Sequence, residues 1–65
     1  MKLTVNGEER ECRARTVLAL IEEMGACAVR VAVLVNDDVI PAAQRADRIL
    51  KEGDRVELVT FAAGG

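Results

Sequence analysis

Lys2-Leu3-Thr4-Val5-Asn6-Gly7-Glu8-Glu9-Arg10-Glu11-Cys12-Arg13-Ala14 is the stretch that decides the fold. From Lys2 to Asn6 the side chains alternate, Leu3 and Val5 to one side and Lys2 and Thr4 to the other. That period of two marks a half-buried strand. Asn6-Gly7 tolerates positive φ at both central positions, as the type I′ turn of a two-residue hairpin requires. Glu9 to Ala14 then return with Cys12 and Ala14 inward and Glu11 and Arg13 outward. The pattern predicts a hairpin.

Working outward, Thr16 is a suitable N-cap, and Val17, Leu20, Ile21 and Met24 recur at helical spacing. Glu22 and Glu23 fall on the opposite, solvent face. Gly25 stands where a left-handed residue would end a helix of two to three turns. Val31 to Val35 is apolar on both faces, which predicts a central strand. Asn36-Asp37-Asp38 is turn chemistry, and Val39-Ile40 pairs briefly before Pro41 blocks the ladder. Pro41 to Asp47 is expected to be irregular or a single helical turn, and Ile49-Leu50 to re-enter the core. Lys51-Glu52-Gly53-Asp54 makes a tight turn into a last strand, Arg55 to Phe61.

The order is therefore hairpin, helix, strand, short strand, strand. One helix must lie across one sheet face, giving two layers. If the last strand lies beside the first, the two run parallel, as a right-handed crossover permits. The prediction is an α+β, two-layer β-grasp (ubiquitin-like) fold. Its mixed sheet has about four to five strands with one main helix on one face. Residues 1–65 form a single domain with a flexible tail at 62–65.

Composition limits what such a domain can do. The chain has 65 residues, 51% of them hydrophobic, but ten of these are alanines. The larger apolar side chains suffice for one sheet and one helix, not for two layers around a deep pocket. Without His, Ser-His and Cys-His catalysis are excluded, and two Cys cannot complete a four-ligand zinc site of the usual kind. One Phe, no Trp or Tyr, and a net charge of -2 give neither a base-stacking platform nor a basic footprint, so no nucleic acid is expected. The longest apolar run is too short for a membrane span, and no signal-like segment opens the chain. The reading is cytoplasmic, with Cys12 a buried thiol and Cys27 a partly exposed one. Asn36-Asp37-Asp38 is expected to satisfy local backbone donors and not to bind a cation.

The tail Ala62-Ala63-Gly64-Gly65 is the one feature that suggests chemistry. Two successive glycines at a terminus arise by chance roughly once in two hundred chains. Without a Cβ, such an end can thread a narrow channel in another protein. Its α-carboxylate, with a pKa near 3.5, is ionised at neutral pH and could attack the α-phosphate of ATP inside a partner enzyme.

With this tail, the segment Val33-Leu34-Val35-Asn36-Asp37, the stretch Val39-Ile40-Pro41, and the turn Glu52-Gly53-Asp54 followed by the last strand, the chain resembles the thiamine-biosynthesis sulfur carriers of the ThiS type. The resemblance spans nearly the whole length and is strongest from Val31 onward. It implies a protein cosubstrate, not an enzyme, that binds no cofactor of its own. Gly65, preceded by Gly64, would be adenylated with ATP by an E1-like adenylyltransferase. It would then become a C-terminal thiocarboxylate, using sulfur from a cysteine desulfurase system, and pass that sulfur to thiazole synthase. Where members often carry a charged residue after the proline and a bulky aromatic soon after, this chain has Ala42, Ala43 and Arg45. That departure leaves molybdopterin-type and cysteine-biosynthesis carriers as alternative assignments. A ubiquitin-like binding module with an unactivated tail, or a thiol redox protein working through Cys27, are the readings from other classes.

Strand alternation adds a docking surface. If Leu3, Val5, Val56 and Leu58 face the helix, then Leu34, Val59 and Phe61 share the outer face beside the tail. This apolar patch is expected to dock on the activating enzyme and the synthase.

Overall fold

The computed structural model describes residues 1–61. Asn6 and Gly7 take φ of 52° and 83°, the paired left-handed conformations of a type I′ turn. They join β1 (Lys2–Val5) to β2 (Glu8–Glu11), antiparallel with Lys2 opposite Glu11 and Val5 opposite Glu8. The Cys12 N–H extends the pairing by donating to the Met1 carbonyl at 2.7 Å. Cys12 and Ala14 are consequently turned inward and buried.

Thr16 is extended and its Oγ1 accepts the Ala19 N–H at 3.1 Å, capping helix α1 (Val17–Glu23). The cap satisfies one of the amide donors that every helix start leaves open. Val17, Leu20 and Ile21 are buried, with Met24 packed partly against them. Gly25 ends the helix at φ 73°, a conformation that costs a residue with a Cβ about 1–2 kcal/mol. Glu22 and Glu23 are exposed, as predicted, but the Glu23 carboxylate also has backbone partners. It turns back so that Oε1 accepts the Arg13 and Ala14 N–H groups at 3.0 and 2.8 Å. Those amides lie past the end of the hairpin ladder, and the carboxylate supplies the partner that the strand no longer can.

A single 3₁₀ turn, Ala28–Arg30, which the sequence did not announce, leads into β3 (Val31–Val35). Asn36 and Asp37, at φ 50° and 74°, turn the chain into β4 (Asp38–Val39), and a second 3₁₀ turn spans Ala42–Gln44. The Ile40 N–H still reaches the Val33 carbonyl at 2.9 Å, just before Pro41. Leu50 is buried but Ile49 is 58% exposed, contrary to the expectation that both enter the core. Ile49 forms an antiparallel bridge with Thr16, and in extended backbone consecutive side chains point to opposite sides.

β5 (Arg55–Thr60) completes a five-stranded sheet in the order β2-β1-β5-β3-β4. It runs parallel to β1, with Thr4 opposite Arg55, and antiparallel to β3, with Val31 opposite Thr60. Leu3, Val5, Val33, Val35 and Val56 meet Val17, Leu20 and Ile21 of α1 in one core cluster. Burying an aliphatic side chain of this size contributes about 1.5–3 kcal/mol. The two-layer β-grasp architecture follows, with α1 on one face and the other face open.

Candidate functional site

The residues of interest lie along β5, which carries the chain toward 62–65. Both neighbouring turns fasten it. Asn36 donates its N–H to the Arg55 carbonyl at 2.8 Å and accepts the Arg55 N–H on Oδ1 at 3.0 Å. Its Nδ2 reaches Asp54 Oδ1 at 3.0 Å, while Asp54 Oδ2 accepts the Lys51 N–H at 2.8 Å. On the other side, the Asn6 N–H donates to the Val56 carbonyl at 2.9 Å and its Oδ1 accepts the Leu58 N–H at 2.8 Å. Left-handed asparagines bend the chain and leave an amide side chain free to bond a nearby backbone. The triad Asn36-Asp37-Asp38 is thus turn and brace. Among the described residues no three His, Cys, Asp or Glu side chains come together as a metal site.

At the far end of β5 the Phe61 N–H donates to the Arg30 carbonyl at 2.8 Å. Arg45 steadies this acceptor segment from behind. Its Nη1 and Nη2 donate to the Ala28 and Val31 carbonyls, each at 2.7 Å, and its side chain is buried although Nε has no partner. No carboxylate pairs with it among the described residues. The guanidinium works as a planar fork that holds the 3₁₀ turn against the start of β3. Sequence reasoning missed this role. The one available signal was that neither Ala42 nor Arg48, three positions away, offers Arg45 an acidic surface partner.

The outer sheet face collects the apolar residues proposed for docking. Ala32 lies opposite Val59, and Leu34 opposite both Glu57 and Val39. Val31, Val33 and Val35 are buried against α1, so Ala32 and Leu34 point the other way, as do Val59 and Phe61. Leu34 is half-buried, whereas Val59 and Phe61 are 45% and 57% exposed. Val39, 68% exposed on the same face, joins them although the sequence reading left it out. Arg55 and Asp37 form an exposed ion pair at 3.4 Å at the lower border. Gly64 and Gly65, expected to carry sulfur, lie outside the described residues.

Other features sit elsewhere. An open depression lined by Met1, Glu11, Cys12, Arg13, Arg15, Ile49 and Leu50 occupies the end of the sheet where β5 begins, away from Phe61. There the Met1 ammonium donates to Glu11 Oε2 at 2.6 Å, which raises the amine pKa and lowers that of Glu11. Burial pushes the Cys12 thiol pKa up, while Cys27 is exposed; both are free thiols. No described helix is long and apolar enough to cross a membrane.

A family model described as "ThiS family" matches residues 3–65. The chain belongs to the ThiS family. Among its ThiS-like relatives is the sulfur carrier protein ThiS of Thermus thermophilus, 39% identical over 61 residues, which cover 94% of this chain and 95% of that one. A thiazole synthase of Paramagnetospirillum magneticum is 42% identical over 66 residues, covering 100% of this chain but 20% of the synthase. Over that relative the chain spans only a fifth of the length. The crystal structure of the thiamine biosynthesis protein ThiS from Geobacter metallireducens superposes with a TM-score of 0.85 at 32% identity, each chain covered in full. The β-grasp architecture is that of the ThiS family.

Proposed function

We propose that this chain is the sulfur carrier of thiamine biosynthesis, a protein cosubstrate whose Gly65 carboxylate is the reacting group. The observation that carries the reading is the family match over residues 3–65, which runs through β5 into Gly64-Gly65. A carboxylate oxygen of Gly65 attacks the α-phosphorus of ATP within an E1-like adenylyltransferase, and pyrophosphate leaves. A persulfide from a cysteine desulfurase system then attacks the acyl carbon and displaces AMP. A thiol cleaves the resulting acyl disulfide, forming a disulfide with the donor's cysteine and freeing a thiocarboxylate that passes its sulfur to thiazole synthase. ATP and the sulfur source are held by the partners, so the carrier needs neither a general base nor a metal. The relative named thiazole synthase, which contains a segment homologous to this chain, favours thiazole as destination over molybdopterin or cysteine biosynthesis.

Docking is the task of the outer face, through Leu34, Val39, Val59 and Phe61. Two variants test the reading. Phe61→Glu should lose most of the pyrophosphate release seen with activating enzyme and ATP, yet keep its unfolding midpoint, because the side chain is 57% exposed. Adding one alanine after Gly65 should abolish adenylation with the fold unchanged. Undiminished adenylation in the extended chain would refute the role of Gly65.

A further inference from the structure

The hydrogen bonds of β5 divide by parity. Phe61 bonds Arg30 and Arg55 bonds Asn36, and in an antiparallel ladder the bonded pairs recur every second residue. Odd-numbered residues of β5 therefore spend their amide groups on β3. Even-numbered residues face β1, where the Thr4 N–H meets the Asp54 carbonyl and the Asn6 N–H meets the Val56 carbonyl. β1 ends at Val5, however, and the chain turns away at Asn6-Gly7. Asn6 Oδ1 takes the Leu58 N–H in place of the missing strand. Beyond it the Leu58 carbonyl and both amide groups of Thr60 have no protein partner among the described residues. The upper half of β5 is thus a short open edge inside an otherwise paired sheet, and it ends beside Phe61.

We propose that this edge accepts an extended segment of the activating enzyme, which adds a strand beside Leu58–Thr60, next to Phe61. The inference rests on the sulfur-carrier reading and names the contact through which that site is presented. A strand added here would continue the line of β1 and exchange bonds with the Thr60 N–H and the Leu58 carbonyl. Its outward side chains would lie beside Val59 and Phe61, which calls for apolar residues at alternate positions. Toward the hairpin it would meet Glu57, Glu8 and Glu9, all exposed, which calls for Lys or Arg at that end. Those same glutamates argue against a second copy, whose own hairpin would bring like charges to the edge.

Thr60→Pro is the direct test. It deletes the one unpaired N–H of the edge and spares the amides of Val59 and Phe61 that bond β3. A second variant, with an ester in place of the Val59–Thr60 amide, removes the same N–H without fixing φ. Binding to the activating enzyme is measured by calorimetry, and adenylation separately by pyrophosphate release. Both variants should bind about tenfold or more weakly, while amide exchange at Val59 and Phe61 stays as in the parent. Parental affinity in the ester variant would overturn the proposal, as would a parent chain that fails to bind the enzyme. Weakened transfer to thiazole synthase with unchanged enzyme binding would also overturn it, by moving the edge to that partner. So would self-association lost in Thr60→Pro with enzyme binding intact, which gives the edge to a second copy. If the parent binds but is never adenylated, the carrier reading fails while the edge contact is still decided by the binding data.

Discussion

Arg45 shows how much one side chain can organise. Its fork holds the Ala28 and Val31 carbonyls at 2.7 Å each, and Arg30, between them, anchors Phe61. Arg45→Ala would leave two carbonyls short of their donors and a void behind them. The expected cost is about 2–5 kcal/mol, about 1–3 for each carbonyl left unsatisfied, read from denaturant midpoints. Arg45→Lys should recover only part of it, because an ammonium cannot span two acceptors as a planar fork does. Cys12 and Cys27 should separate by reactivity: near neutral pH an alkylating agent should modify exposed Cys27 well before buried Cys12. The pKa of Cys12 is raised from its ordinary value of 9.0, first by burial and then by Glu23. The folded state therefore holds that proton more tightly than the unfolded chain does. The associated stability is complete below 9.0 and is lost as pH climbs through that value toward the folded one. Cys12→Ala should flatten the alkaline fall of the unfolding midpoint, and an identical fall in both proteins would contradict the assignment.

At the level of elements, the turns do more than reverse the chain. The Asn6 and Asn36 side chains act as substitute strand residues for β5, bonding Leu58 and Arg55. Asn36→Ala should destabilise the domain by about 1–3 kcal/mol, from lost bonds and from a left-handed Cβ residue. Amide exchange should quicken at Arg55 more than at Val33. The regular elements themselves were legible in the sequence, since alternation from Lys2 to Val5 and helical spacing from Val17 to Met24 follow directly from which face is buried. The asparagines read correctly as turn residues, but their long-range bonds did not show, because a partner 52 positions away leaves no local signature. Glu23 and Arg45 escaped for the same reason. Ile49 was misplaced because two adjacent apolar residues in extended backbone cannot both point inward.

For the whole molecule, order in space is set by a single parallel pairing, β1 with β5, that brings the two ends of the chain's regular structure side by side. The helix then covers one face, and the other, with Val39, Val59 and Phe61, is left exposed at the margin from which residues 62–65 continue. The outward placement of Leu34, Val59 and Phe61 was readable from strand parity, whereas the open edge of β5 needed the topology, because it depends on where β1 stops relative to β5. A domain of this size, with no histidine, is suited to presenting a reactive end to other proteins' machinery. Intact-mass spectrometry tests that most directly, after incubation with ATP, the activating enzyme and a sulfur donor. The account predicts a gain equal to the difference between sulfur and oxygen, mapped by fragmentation to Gly65. An unchanged mass, or a gain that maps to Cys12 or Cys27, would contradict it.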